Sequence, residues 1–140
     1  MKIKNFAIVA GAAAVLAACT SSSSKLTEPE TLNDQRVFFA FNSAEISEAA
    51  NANLLAQSLY MKNHPDVKIQ IAGNCDERGS TEYNLALGAR RANAAKSVIV
   101  NDGVEAGRIS TISYGKERPW VEGTGENVWQ WNRNATTTVK

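Results

Sequence analysis

The sequence has few residues that bind metals or form redox pairs. Its 140 residues include two cysteines and one histidine, whereas a structural zinc site takes four such ligands. Cys19 and Cys75 lie far apart and form no CxxC pair. We therefore expect neither a metal nor any other cofactor.

The sequence also lacks a strong charge of either sign. Its formal net charge is +1, with 15 basic and 14 acidic residues. This balance gives no broad field that would attract nucleic acid or an acidic lipid surface. Hydrophobic residues make up 44% of the chain and charged residues 21%, which is the composition of a globular protein rather than a disordered one.

No apolar run in the sequence is long enough to span a membrane. The run over residues 6–18 has thirteen apolar or small residues, whereas a membrane-spanning helix takes about twenty. Lys2 and Lys4 precede this run, so residues 1–18 are predicted to be a signal peptide that is removed on export. A buried N-terminal helix is the alternative, but no capping residue ends the run.

The apolar run ends at a cysteine. Residues 16–19 read LAAC and resemble a bacterial lipobox, which implies that Cys19 is acylated and becomes the first mature residue. Several acyl chains on one residue hold a protein almost irreversibly at a bilayer. Thr20 and Ser21 follow, and the absence of an aspartate there favours the outer membrane. The alternative is an ordinary signal peptide with a chance cysteine.

An acylated Cys19 leaves Cys75 without a disulfide partner inside the chain. Cys75 is therefore predicted to be a free thiol that is partly buried. A catalytic Cys75 would need a base, and His64 is the only histidine that could serve; a structural role is favoured.

The rest of the chain divides into a tether and one domain. Residues 19–35 are rich in Ser, Thr, Glu and Pro and have no periodicity, which is typical of a flexible tether. Residues 36–140 form the domain. The predicted elements are a strand over 37–41, a helix over 47–63, a strand over 67–72, a helix over 81–101, a strand over 109–114, a short helix within 122–132 and a strand over 134–139.

This order predicts an α+β fold, a β-α-β-α-β-(α)-β sandwich with two main helices packed on one face of a mixed four-stranded sheet. In the first helix, Ala52, Leu55, Ala56 and Leu59 recur at helical spacing and are predicted to face the core. The second helix ends at Asp102-Gly103, since glycine suits a left-handed cap.

A polar loop over residues 73–80 follows the second predicted strand. It carries Asp76, and Arg91 lies nearly three turns into the helix that follows. A carboxylate and a guanidinium around one crevice suit a zwitterionic ligand. Spacing alone favours the simpler alternative, in which Asp76 and Arg91 pair with each other or face solvent.

Two segments carry a family resemblance that reverses this balance. Residues 76–93, DERGSTEYNLALGARRAN, resemble the signature of the peptidoglycan-associated lipoproteins, which belong to the OmpA-like domain family, and residues 113–119, SYGKERP, resemble a later motif. The resemblance implies binding of meso-diaminopimelate in the peptide of peptidoglycan, with Asp76 as the binding acid and Arg91 as the binding arginine. Lesser contacts are implied for Phe41, Asn42, Arg78, Asn84 and Leu87.

The resemblance also implies a protein without enzymatic activity. It would be held in the outer membrane with its domain in the periplasm, and it would bind TolB and TolA in the Tol-Pal system of envelope integrity and cell division. Asp76 and Glu77 as the acid and base of a wall hydrolase are the alternative from another class, although adjacent carboxylates rarely reach the separation that glycoside hydrolysis requires.

Several positions depart from the family pattern. Ala40 and Asn42 stand where the family usually has acids, Asn74 where histidine is frequent, Ala89 where glutamate is usual, and Asn134 where a second arginine is frequent. These losses of charge suggest weaker wall binding or, as an alternative, a scaffold that has lost it. The tryptophans near the C-terminus, Trp120, Trp129 and Trp131, are predicted to pack in the core, with a partner surface as the alternative.

Overall fold

A computed structural model describes residues 26–140. Its elements are β1 (Gln35–Phe38), α1 (Glu48–Asn63), β2 (Ile69–Asn74), α2 (Thr81–Asn101), a 3-10 turn (Ala106–Arg108), β3 (Ile109–Gly115), α3 (Glu126–Asn132) and β4 (Asn134–Val139). The strands form one sheet in the order β1-β4-β2-β3. β4 pairs antiparallel with β1 and with β2, while β2 and β3 are parallel. The predicted α+β fold is confirmed.

Serine caps fix the starts of both long helices. The side chain of Ser47 accepts a hydrogen bond from the backbone N–H of Ala50, and that of Ser80 accepts one from Tyr83. Each bond satisfies a donor that has no partner within the first helical turn. The cap at Ser80 matters for the site, because it sets where α2 begins after the loop over residues 73–80.

Two glycines let α2 lie directly on the sheet. A Cβ atom added at Gly73 in β2 would lie 1.7 Å from the carbonyl oxygen of Gly88 in α2. A Cβ at Gly88 would lie 2.3 Å from Oγ of Ser113 in β3. Only a residue without a side chain permits backbones to approach this closely. This contact holds the first half of α2 against the C-terminal end of β2.

The core lies between the two long helices and one face of the sheet. Its buried apolar side chains come from both layers: Leu32, Val37, Phe39, Ala50, Leu54, Met61, Ile69, Ile71, Ala92, Ala95, Ile99, Val104, Ile109 and Ala135. Within residues 26–140 no helix is both long and apolar enough to cross a bilayer.

The buried face of α1 differs from the predicted one. Ala52 is exposed, and the other three predicted positions are only half-buried. Ala50, Leu54, Gln57, Ser58 and Met61 are buried instead. The polar Gln57 can lie in the core because it donates to Asn53 at 2.7 Å and accepts from Thr137 at 2.7 Å. Apolar spacing missed this face, since two of its members are polar.

The bounds of the first two strands differ from the predicted ones. β1 ends at Phe38 rather than residue 41, and β2 continues through Gly73 and Asn74, which were predicted to begin a loop. Asn74 pairs with Asn134 in β4, so tertiary pairing overrides its preference for turns. Leu32 is fully buried, so packed structure begins four residues before the predicted domain start at Arg36.

The tryptophans are not in the core, so that prediction is wrong. Trp120 and Trp131 are 49% and 41% exposed, and Trp129 is half-buried. Trp120 and Trp131 pack edge to face, with ring centroids 6.3 Å apart, and both contact Phe38. They form an aromatic cluster at the surface beside β1.

Candidate functional site

A small cavity opens where the C-terminal end of β2 meets the start of α2. Its volume is about 90 Å³. It brings together all seven residues that the sequence analysis named for ligand binding: Phe41, Asn42, Asp76, Arg78, Asn84, Leu87 and Arg91. Cys75, Gly79 and Tyr83 complete the lining. The residues converge, while their role in binding stays a prediction.

Asp76 is 3% exposed and is held by two arginines. Arg78 donates to it from its backbone N–H at 3.0 Å, from Nε at 3.2 Å and from Nη2 at 2.7 Å. Nη1 of Arg133 approaches the second carboxylate oxygen at 3.5 Å. Burial by itself would raise the pKa of Asp76, but the hydrogen bonds and charge of Arg78 outweigh it, and the pKa lies below its ordinary value. Asp76 is therefore a carboxylate at neutral pH.

Arg91 is fully buried and has a different set of partners. Its guanidinium donates to three backbone carbonyl oxygens, those of Ser43 at 2.8 Å, Asn74 at 2.9 Å and Ala40 at 3.0 Å. One N–H on each terminal nitrogen takes no part in these three bonds, and the guanidinium also interacts with the Cys75 thiol. Within residues 26–140 no carboxylate forms a salt bridge with Arg91. The simpler alternative from spacing, a pair with Asp76 or exposure to solvent, is wrong.

Arg78 forms one wall of the cavity. Its guanidinium lies between two aromatic rings, 3.9 Å from the centroid of Phe41 and 4.0 Å from that of Trp129. Such contacts hold a guanidinium in place while leaving its edge free to donate. The Phe41 ring is 55% exposed, so this wall of the cavity faces solvent.

The mouth of the cavity depends on Asn42 and Tyr83. Asn42 has a φ of +59°, a left-handed conformation that asparagine tolerates better than most residues. Its Oδ1 accepts a hydrogen bond from the hydroxyl of Tyr83. Tyr83 was not singled out from the sequence. A tyrosine at an exposed position in the first turn of a helix does not by itself indicate a binding site, and only the fold brings it to Asn42.

Asn84 and Leu87 have supporting positions. Asn84 is 2% exposed, and its Nδ2 donates to the carbonyls of Arg78 at 2.7 Å and Ser80 at 3.1 Å. These bonds close the loop onto the start of α2. Leu87 is 3% exposed and gives the cavity an apolar floor.

Arg133 is a site residue that sequence reasoning missed. Asn134 occupies the position where the family pattern frequently has a second arginine, but the arginine beside Asp76 is Arg133, the residue just before β4. It is 7% exposed, and it donates to the Phe39 carbonyl at 2.9 Å and to Glu126 at 3.0 and 2.8 Å. Residue 133 is 57 positions from Asp76, so no local pattern links them.

Cys75 has no features of a nucleophile. Its Sγ donates to the Asn84 carbonyl at 3.3 Å. Burial raises the pKa of the Cys75 thiol above its ordinary value, which keeps it protonated at neutral pH. His64, the base considered from the sequence, stacks on Tyr60 at the end of α1 with ring centroids 4.0 Å apart.

The comparisons with known proteins identify the family. A family model described as the OmpA family matches residues 38–133. The chain belongs to the OmpA family. The peptidoglycan-associated lipoprotein of Pasteurella multocida is 39% identical over 144 residues, covering 96% of each chain. That of Mesorhizobium japonicum is 44% identical over 104 residues, covering 74% of this chain and 62% of the relative. The resemblance stated from the sequence is confirmed.

Two solved structures have the same fold. The crystal structure of the peptidoglycan-associated lipoprotein from Burkholderia pseudomallei matches with a TM-score of 0.74 and 39% identity, covering 76% of this chain and 90% of that one. The C-terminal domain of Helicobacter pylori MotB matches with a TM-score of 0.71 at 19% identity, which supports the fold alone.

Proposed function

We propose that this OmpA-family chain is an outer-membrane lipoprotein that binds peptidoglycan without turnover. Its ligand is the meso-diaminopimelate residue of the stem peptide, whose side chain carries a free amine and a free carboxylate. The relatives that it resembles over most of its length are named peptidoglycan-associated lipoproteins. The domain thereby links the outer membrane to the cell wall.

One observation carries the proposal. Arg91 is a fully buried guanidinium whose partners are neutral carbonyl groups rather than carboxylates. A buried charge is costly unless a counter-charge or hydrogen bonds compensate it. The carbonyls hold Arg91 in place but leave its charge unbalanced. A ligand carboxylate in the adjoining cavity would balance this charge, and the two remaining N–H groups suit a two-pronged contact.

Asp76 is the acid that lines the cavity and could bind the ligand amine, but both of its oxygens already accept hydrogen bonds. Each carboxylate oxygen of Asp76 accepts two hydrogen bonds from arginines, which fills its usual capacity. An ammonium group must therefore replace a contact from Arg78, whose side chain is 32% exposed and so can exchange that contact for one with solvent. This exchange of one cation for another keeps the charge near Asp76 constant.

The anchor and the protein partners belong to the same proposal. Cys19 lies outside the described residues, and the LAAC motif supports its acylation and the release of residues 1–18. The tether over residues 19–35 would place the domain in the periplasm. TolB and TolA are the proposed partners, in the Tol-Pal system of envelope integrity and division, on the strength of the family resemblance.

The carboxylates of the site argue against the wall hydrolase. Glycoside hydrolysis needs an acid whose pKa is raised enough to be protonated near neutral pH. Hydrogen bonds from Thr124 and Trp129 lower the pKa of Glu77, and that of Asp76 is lowered as well. Neither residue is therefore a ready proton donor.

Sedimentation with purified peptidoglycan tests wall binding. The full chain in detergent micelles should sediment with the wall, whereas the Asp76→Asn and Arg91→Lys variants should stay in the supernatant. Truncating one partner of a desolvated charged contact costs about 2–5 kcal/mol, enough to lose most binding. Lysine keeps the charge of Arg91 but loses the two-pronged geometry.

Neighbouring residues supply matched controls. Glu77→Gln and Arg90→Lys make the corresponding changes at exposed side chains one position away, and both variants should sediment like wild type. Circular dichroism should show a folded domain in every variant. Sedimentation of both site variants at wild-type level would contradict the proposal, and so would release of soluble wall fragments by the wild-type chain.

A further inference from the structure

The face of the sheet opposite the two long helices carries no helix within residues 26–140. Side chains from all four strands point outward there, and the strand register aligns them in rows across the sheet. Arg36 of β1 is paired with Thr136 of β4, which is paired with Ala72 of β2. Ala72 is in turn paired with Ile112 of β3. This open face is distinct from the cavity at the start of α2.

A groove of about 310 Å³ runs over the open face. Small and hydroxyl-bearing side chains form its floor, with Ala72, Thr136 and Thr138 among them. Arg36 and Tyr114 stand as walls, and the loop after β3 supplies Arg118, Pro119 and Trp120. The short floor residues between long wall residues are what make the surface concave.

Two arginines in the groove are positioned by aromatic rings. The guanidinium of Arg36 lies 3.9 Å from the ring centroid of Trp120, and that of Arg118 lies 3.8 Å from the ring centroid of Tyr114. No carboxylate lines the groove. The only ion pair of Arg36 within the described chain is a contact of 3.8 Å with Asp34, whose side chain is 73% exposed. The groove is thus positive and its charges are held in place.

Two buried polar atoms in the lining have no hydrogen-bond partner within residues 26–140. One is Nε of Arg36, a donor, and the other is Oδ1 of Asn74, an acceptor. Asn74 is 7% exposed, and its amide nitrogen already donates to Asn134 at 2.9 Å. A buried polar group without a partner is costly. Both atoms are closed to solvent, so the groove favours an anionic ligand through its two arginines rather than through these atoms.

We propose that the groove binds an acidic polypeptide segment in an extended conformation, supplied by a protein partner. Carboxylate side chains would meet Arg36 and Arg118, since guanidinium groups match carboxylates with two parallel hydrogen bonds. A glycan fits less well, because sugar rings stack on bare aromatic faces, whereas guanidiniums already lie over Trp120 and Tyr114. This inference does not depend on wall binding.

Calorimetric titration of a short peptide into the full chain in detergent micelles tests the proposal. The probe is a capped hexapeptide of alternating glutamate and valine, which extends readily and places its carboxylates on one side. The matched control peptide alternates glutamine and valine. We expect binding of the glutamate peptide only, weakened by salt because the contacts are partly exposed. Equal binding of both peptides, or binding of neither, would overturn the proposal.

Variants of the chain locate the binding surface. Arg118→Gln alone and Arg36→Gln with Arg118→Gln should weaken peptide binding, by about tenfold for the pair, which corresponds to about 1.4 kcal/mol. Arg90→Gln, an equal loss of charge on the exposed face of α2, should bind like wild type. Because Arg118 is exposed, its single variant remains informative if the double variant unfolds. Unchanged affinity in Arg118→Gln would contradict the assignment.

Two further measurements separate this groove from the wall site. Arg118→Gln should still sediment with peptidoglycan, and Asp76→Asn should still bind the glutamate peptide. Loss of peptide binding in Asp76→Asn would move the peptide to the cavity and overturn the inference. Titration with an N-acetylglucosamine hexasaccharide provides the glycan comparison. Binding of this sugar without binding of the peptide would make the groove a carbohydrate site instead.

Discussion

Arg91 and Arg133 are both buried arginines within one site, and they are compensated in opposite ways. Arg91 is surrounded by neutral carbonyl groups, whereas Arg133 lies between two carboxylates, Asp76 and Glu126. Burial lowers the pKa of Arg91 below its ordinary value. The hydrogen bond to Glu126 raises the pKa of Arg133. The same side chain in nearly the same place is thus left with its charge unbalanced in one case and neutralised in the other.

This difference distinguishes an arginine suited to binding a ligand, Arg91, from an arginine that supports the site, Arg133. A neutralised guanidinium has little to gain from another anion, so Arg133 positions Asp76 and joins β4 to the site. An unbalanced guanidinium gains a counter-charge when a carboxylate arrives, so Arg91 suits a ligand. The comparison also shows that burial alone does not identify a binding residue, because the partners decide what remains available.

Removing Arg91 should have the largest effect on stability. Arg91→Ala removes a donor from three carbonyl groups, among which that of Asn74 is buried and that of Ala40 still accepts from the Ser43 N–H at 3.2 Å. A buried group left without a partner costs about 1–3 kcal/mol before water enters. We expect the free energy of unfolding to fall by about 3–5 kcal/mol in urea titrations. Arg91→Lys should lose less, because one ammonium can still reach some of these carbonyls. A loss in Arg91→Ala below about 1 kcal/mol would show that the carbonyls find other partners.

Removing the charge of Asp76 should have a smaller effect that depends on pH. Hydrogen bonds to a charged group contribute about 1.5–3 kcal/mol, so Asp76→Asn should lose an amount in this range at neutral pH. Because the pKa of Asp76 is lowered in the folded state, its contribution is present above the unfolded pKa of about 3.9 and is lost as pH falls through the folded pKa.

Urea titrations from neutral to acidic pH would check this window. The difference in stability between wild type and Asp76→Asn should shrink as the pH falls. Other carboxylates with lowered pKa, including Asp102, are present in both proteins and cancel from the comparison. A difference that stays constant down to pH values well below the unfolded pKa would rule out a charged contribution from Asp76.

Restoring an acid at position 42 should strengthen binding of the ligand amine. If the ligand amine lies near Asn42, Asn42→Asp adds a partly exposed charge pair of about 0.5–1.5 kcal/mol. Affinity for a soluble wall peptide containing meso-diaminopimelate should rise about two- to twelvefold, and the gain should fade in high salt. Calorimetric titration measures both effects. Unchanged or weaker binding would place the amine away from this position.

Neutralising Glu126 should have the smallest effect. Its side chain is 63% exposed, so its contact with Arg133 is screened by solvent. Glu126→Gln should leave the urea midpoint close to that of wild type, and it should still sediment with the wall. A large loss of stability would mean that Arg133 depends on Glu126 as much as on Asp76, and the division between the two arginines would need revision.

Spacing alone could predict the parts of the site that are local in sequence but not the parts that arrive through the fold. Phe41 and Asn42 were named only through the family resemblance. The bounds of α2 agree with the prediction because Ser80 caps its start and Gly103, with a φ of +111°, follows its end. The loop after β2 and the first turns of α2 are contiguous, so Asp76 and Arg91 could be linked. Arg133 could not, since only the pairing of β4 with β2 brings it to Asp76.

The positions of the aromatic residues were harder to predict from the sequence. Phe41 was included in a strand because apolar residues favour strands, yet it is exposed and packs on Arg78. The tryptophans were predicted to be in the core. A guanidinium covers the ring faces of Phe41, Trp120 and Trp129, and hydropathy alone does not register such a contact.

Leu32 is fully buried against the core. If Cys19 is acylated as proposed, the number of residues between Cys19 and Leu32 limits how far the core can stand from a membrane. At about 3.3–3.6 Å per residue, this stretch can extend to roughly 45 Å, against roughly 55 Å if packing began at Gln35. A wall farther from the bilayer than this allows would pull on Leu32 and then on β1, so the buried leucine sets the point at which tension enters the fold.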